Sequence, residues 1–133
     1  MKNLKKSGLI ILLISFMLGS CKKDEDKPSV DNANRKIKYE LTGNFSGKLT
    51  IIYNDNVNGN TVVNDVTLPW SKEITYADNI LGIGIGGSST SFGSPGQTAT
   101  LTIYAAGTVK ATSTKTAGSV GELSLPTLTY NFK

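Results

Sequence analysis

Two hydrophobic patterns divide the chain. The first is a continuous apolar run, Leu9 to Leu18, broken only by Ser15. The second begins at Lys36, where apolar and polar residues alternate. Ile37, Tyr39 and Leu41 share one parity, as do Leu49, Ile51 and Tyr53 after a break at Gly43 to Gly47. Period-two alternation predicts half-buried β-strands. Asn54 to Asn60 predicts a hairpin turn, because Asn58-Gly59 tolerates positive φ. Thr61 to Leu68 reads as the return strand. Pro69 interrupts it, having no N–H for the ladder, and predicts an edge or a switch between sheets. Trp70 to Tyr76 and Ile80 to Ile85 predict further strands, the first with Trp70, Lys72, Ile74 and Tyr76 on one face. Gly86 to Gln97 predicts a flexible polar loop. Thr98 to Tyr104 alternates cleanly, Gly107 predicts a turn into Val109 to Thr116, and Leu123 to Phe132 predicts a last strand broken at Pro126. About seven short strands separated by turn signals predict an all-β fold, an antiparallel immunoglobulin-like β-sandwich. A small closed barrel is the alternative. No stretch after Cys21 has the period of an amphipathic helix.

The apolar run is too short to cross a hydrocarbon core, which needs about 20 residues. Lys2, Lys5 and Lys6 precede it, and Gly19-Ser20 follow it directly before Cys21. This order is that of a secretory signal peptide. Leu18-Gly19-Ser20-Cys21 resembles the lipobox of bacterial lipoproteins. The resemblance implies cleavage before Cys21 and fatty chains on its sulfur and new amine. One chain binds a bilayer only marginally, whereas two or three give a stable anchor. Lys22-Lys23-Asp24-Glu25-Asp26 resembles the export signal that carries lipoproteins of the Bacteroidota to the outer face of the outer membrane. The division expected is therefore 1–20 signal peptide, 21–35 lipidated cysteine and flexible linker, and 36–133 folded domain. The linker is polar enough to predict disorder.

Charge changes the picture little. The formal net charge is +4. Without Lys2, Lys5 and Lys6, eleven basic side chains face ten acidic ones, and no basic stripe is left for nucleic acid. There is no histidine, which excludes Ser-His-Asp and Cys-His catalysis and histidine metal ligation. The single cysteine excludes an internal disulfide and a CxxC zinc site.

Candidate sites are few. Trp70 is the only tryptophan and is expected to anchor the core between the sheets. Asn54-x-Asn56-x-Asn58-Gly59, with Asp65 at the twelfth place, mimics a calcium loop. Its first position lacks an Asp, its last lacks a Glu, and no helices flank it, so a plain hairpin is expected. Gly82 to Gly87 has neither the Lys-Ser/Thr nor the helix that phosphate binding requires. A strand with one bare face, open to close backbone approach, is expected there. The domain carboxylates Glu40, Asp55, Asp65, Glu73, Asp78 and Glu122 show no spacing that singles out a catalytic pair. No enzyme, cofactor or metal is expected.

Tyr39-Glu40-Leu41-Thr42-Gly43 and Leu68-Pro69-Trp70-Ser71-Lys72, in this order after a Tyr53-Asn54-Asp55 strand end, resemble the mycobacterial membrane protein small (MmpS) family. The resemblance runs from Lys36 to about Thr116. It implies an extracytoplasmic β-sandwich that assists a proton-driven exporter of lipids and siderophores. The sequence departs from the family in having a lipobox in place of a transmembrane helix, no cysteine pair in the domain, and a different tail after Gly118. The function expected is a non-catalytic, envelope-anchored binding or accessory module held to the membrane by its lipid. The alternative is a surface adhesin or glycan-binding protein using the Gly86 to Gln97 loop.

Overall fold

The computed structural model describes residues 32–133. The signal segment, Cys21 and the linker up to residue 31 lie outside the described residues. Eight strands follow a short 3-10 turn, Asn32–Arg35: β1 (Lys36–Gly43), β2 (Leu49–Asn54), β3 (Asn60–Val66), β4 (Trp70–Thr75), β5 (Gly82–Ser89), β6 (Thr98–Ala105), β7 (Thr108–Thr116) and β8 (Ser124–Asn131). They form two four-stranded antiparallel sheets, ordered β4-β1-β6-β7 and β3-β2-β5-β8. The all-β sandwich is thus present.

Alternation explains the core. Ile37, Tyr39 and Leu41 of β1 point inward with Leu101 and Ile103 of β6, and meet Leu49 and Ile51 of β2 and Ile85 of β5. All eight are fully buried. The same parity puts polar groups on the outer face, where Thr100 and Thr102 of β6 hydrogen-bond Thr114 (2.7 Å) and Thr112 (3.0 Å) of β7. The β2–β3 and β6–β7 hairpins stay within one sheet, and every other connection crosses between layers. Pro69 lies on one of these crossings, after a cis Leu68-Pro69 bond. The edge strands carry devices against further pairing. Lys72 of β4 shares the inward parity of Ile74 but stays in solvent, and Pro126 lies in β8, which pairs only with β5.

Two expectations are corrected. The fold takes in residues before Lys36: the Asn32–Arg35 turn is part of it, and Arg35 is 6% exposed. The Gly86 to Gln97 segment is not a free loop throughout. Gly86 to Ser89 continue β5, because the strand lies between β2 and β8 and backbone pairing on both sides outweighs the low strand propensity of glycine. Trp70, expected as a core anchor, packs against the core cluster, partly buried at the end of edge strand β4, with its ring 6.4 Å from that of Tyr53. The place between the sheets belongs to Tyr39, which is the largest fully buried side chain.

Tyr39 needs a polar partner at that depth. Its hydroxyl lies 2.8 Å from that of Tyr76, which in turn donates to the Asn54 carbonyl. Burial raises the pKa of both phenols, that of Tyr76 to about 12. In the unfolded chain they ionise near pH 10. Folding therefore retains protons that the unfolded chain releases above pH 10, and stability falls as pH rises from about 10 toward about 12. Thermal midpoints measured across pH 8 to 12 are expected to hold until about pH 10 and then drop. A flat profile to pH 12 contradicts this.

Candidate functional site

The strand directions sort the loops into two ends. The 3-10 turn, the β2–β3 turn, the β4–β5 loop, the β6–β7 turn and the C-terminus share the end where the described chain begins. The loops 44–48, 67–69, 90–97 and 117–123 lie at the opposite, distal end.

At the near end the dominant feature is Arg35, the sole arginine of the sequence. Its guanidinium donates to the carbonyls of Ala77 (2.6 Å), Ile80 (2.9 Å) and Asp78 (3.0 Å). It also pairs with the Asp78 carboxylate at 3.3 Å and lies 4.6 Å from the Phe132 ring centre. A planar fork with five donors suits this task, and a lysine does not. Arg35 thus fastens the incoming chain to the β4–β5 loop and to the C-terminal residues.

The β2–β3 turn is nearby. One Asp55 carboxylate oxygen accepts from the Val57 (2.8 Å) and Asn58 (2.6 Å) amides, and the other accepts from the Thr61 hydroxyl. The Thr61 hydroxyl and these amides hold the Asp55 carboxyl down at about 2. Its contribution to the turn is present above the ordinary value near 4 and is lost as pH falls toward 2. The Val57 and Asn58 amide resonances are expected to lose their hydrogen-bonded shifts over that window. Shifts unchanged at pH 2 contradict the bond pattern. Asp65 is at the distal end of β3, at a bulge with φ +57°, and pairs with Lys48 at 3.6 Å. The loop therefore does not bring Asp55 and Asp65 together, and the turn is a plain hairpin in shape.

On the outer face of the first sheet, Lys36, Lys38, Glu40, Glu73, Tyr104 and the β6–β7 turn line an open groove of about 510 Å³. It contains two carboxylates. Glu40 accepts from Lys38 (2.6 Å) and from the Tyr104 hydroxyl (2.8 Å), and Glu73 pairs with Lys36 at 3.3 Å. The Lys38 and Tyr104 bonds hold the Glu40 carboxyl below its usual value. A general acid needs the opposite shift. The Lys38 amine also covers the Tyr104 ring at 5.3 Å. The groove's charges pair with one another.

Gly82, Gly84 and Gly86 share the outward parity of β5, as the sequence led one to expect of a bare strand face. Gly84 and Gly86 floor a shallow groove of about 400 Å³ between Ile52 and Thr127. A Cβ on Gly86 would meet the Thr127 backbone at 3.1 Å, so the neighbouring strand does approach closely there.

The distal end is the most organised surface. Phe45 is buried beneath it, with Gly47 and Gly93 against its ring. Gln97 Oε1 accepts from Ser46 N (3.0 Å), Ser46 Oγ (2.9 Å) and Ser94 N (2.8 Å). Asn44 Oδ1 accepts from Thr98 N, and Ser91 Oγ accepts from Lys48 N, both at 2.7 Å. Gly93 N donates to Gly121 O at 2.9 Å. Three loops are thereby joined into one platform. From it project Phe92, 69% exposed, and Val120, 64% exposed. The loop that the sequence offers as a contact surface under the alternative reading ends here, whereas Phe45 and Val120 were missed. Both stand among polar and glycine residues without a periodic neighbour to mark them. Arg35 was missed for a similar reason. Its one signal was that the chain uses lysine at every other basic position.

Among the described residues no group of three or more His, Cys, Asp or Glu side chains is placed to hold a metal. Neither a protein-family model nor a curated protein sequence matches this chain.

Proposed function

We propose that the chain is a non-catalytic lipoprotein of the bacterial outer membrane. It is anchored through Cys21, faces the cell surface, and binds an envelope partner with its distal platform. The observation that carries this is the opposition of the two ends. The chain enters at Arg35, while the exposed Phe92 and Val120 project from loops braced at the far end. A tethered module needs its contact surface away from its anchor. A rigid platform bearing an exposed aromatic side chain suits binding, because few rotamers are lost on contact. The resemblance to the MmpS family makes a component of an export system the leading partner.

The second reading is a glycan-binding surface protein. It is favoured by the make-up of the 90–97 loop, where the exposed Phe92 has Ser91, Ser94 and Gln97 as sequence neighbours. A photoreactive residue at position 92 in the lipidated protein, illuminated on intact cells, separates the two. Cross-linking to one envelope protein from position 92, and none from position 57, supports the accessory module. Glycan binding that Phe92→Ala abolishes, without a protein cross-link, supports the second reading. Obtaining neither result overturns both readings.

A further inference from the structure

The near end carries apolar tips of its own, and they are the most exposed large hydrophobic side chains among the described residues. Val57, at the β2–β3 turn, is 86% exposed, and Leu81, just before β5, is 79% exposed. Both are held in place. The Asn56 side chain donates to Thr75 O (2.8 Å) and accepts from Ala77 N (3.0 Å), which ties the turn to the β4–β5 loop. Phe132 N donates to Leu81 O (2.9 Å), and Arg35 holds Ile80 O. The Val57 amide is already bonded to Asp55, so removing this tip from water strands no backbone donor.

We infer that Val57 and Leu81 dock the sandwich directly on the lipid bilayer to which Cys21 is attached. This rests on the lipoprotein reading above. Ten residues, 22–31, separate Cys21 from Asn32. At about 3.5 Å per residue they span at most about 35 Å. The near end is thus confined to a thin shell above the membrane, where even weak apolar contacts act at high effective concentration. The distal end lies a further strand length away, about 26 Å for eight residues. The tether would have to double back along the sandwich to seat Phe92 in lipid. Of the near-end charges, Arg35 pairs with Asp78 and Lys36 with Glu73, and the Asp55 carboxylate is held by the Val57 and Asn58 amides and the Thr61 hydroxyl. The contact is therefore apolar in origin and insensitive to salt and to anionic lipid. With the near end seated, Phe92 and Val120 stand upright, away from the bilayer.

The test uses the full lipidated chain in vesicles of phosphatidylethanolamine and phosphatidylglycerol. Spin labels are placed through Val57→Cys, Leu81→Cys and Phe92→Cys, all at exposed positions. Labels at 57 and 81 are expected to show several-fold higher accessibility to oxygen than to a water-soluble nickel chelate, unchanged in high salt. The label at 92 shows the reverse. Labels at 57 and 81 that behave like one in water overturn the inference, as does lipid contact at 92 alone. The mass of the same sample separates the two levels. A modified Cys21 with water-exposed tips defeats only the docking, whereas an unmodified Cys21 defeats the lipoprotein reading and the docking with it.

Discussion

Arg35→Ala lowers the stability of the domain by about 3–5 kcal/mol, more than any other change of a charged residue in it. The guanidinium is buried and serves three backbone carbonyls and the Phe132 ring. Hydrogen bonds to a charged group contribute about 1.5–3 kcal/mol each, and the packing of the guanidinium on the Phe132 ring is lost with them. The contributions are not additive, because one side chain makes them all. In a domain of about 100 residues, 1 kcal/mol moves the thermal midpoint by about 4–8 °C, so a drop of about 12 °C or more is expected. Arg35→Lys restores the charge without the fork and recovers less than half. The control is Lys36→Ala, whose ion pair with Glu73 is more than half exposed on both sides and contributes about 0–1 kcal/mol. Thermal unfolding followed by circular dichroism reads all three. An Arg35→Ala midpoint no lower than that of Lys36→Ala refutes the clamp.

Gly121→Ala is the second large effect, and it acts at the other end. Gly121 has φ +86°, and a Cβ there would lie 2.1 Å from Gly93 O. The left-handed backbone alone costs an alanine about 1–3 kcal/mol, and relieving the overlap requires the 90–97 and 117–123 loops to part. Gly93 N–H then loses its acceptor on Gly121, and the fixed relation between Phe92 and Val120 goes with it. Expected are a loss of about 2–4 kcal/mol and faster exchange at the Gly93 amide, with the core amides of β1 and β6 less affected. Gly96→Ala is a useful comparison. It shares the positive φ but has open space around it, so only the backbone cost is paid. If the two variants are equal in stability and in Gly93 exchange, the two loops are not braced on each other.

Much of the fold was legible because strands write their burial into the chain. Ile37-x-Tyr39-x-Leu41 and Leu101-x-Ile103 name their inward faces directly, and Pro69 marked a crossing because it cannot serve a ladder. Legibility failed where tertiary pairing decided the outcome. Gly86 to Ser89 have the composition of a loop, and only two flanking strands make them a strand. Trp70 looked like a core anchor by size, and it does pack on the core, but its place at the end of an edge strand leaves it only partly buried. Arg35 and Phe45 hold their places through contacts distant in sequence, with Ala77 and Ile80 in one case and with Gly93 in the other. No local pattern announces such pairs. Of the candidate site, the loop was legible as a loop, whereas its rigidity was not. That rigidity comes from Gln97 and Asn44 reaching across to backbone amides more than fifty residues away or just across a turn.

The proposal that this sandwich works on a leash stands or falls with the intact mass of the chain extracted from bacterial membranes. A polypeptide starting at Cys21, heavier by a diacylglyceryl thioether and an acylated amine, is the expected product. A chain still starting at Met1, with a free thiol and in the soluble fraction, contradicts it.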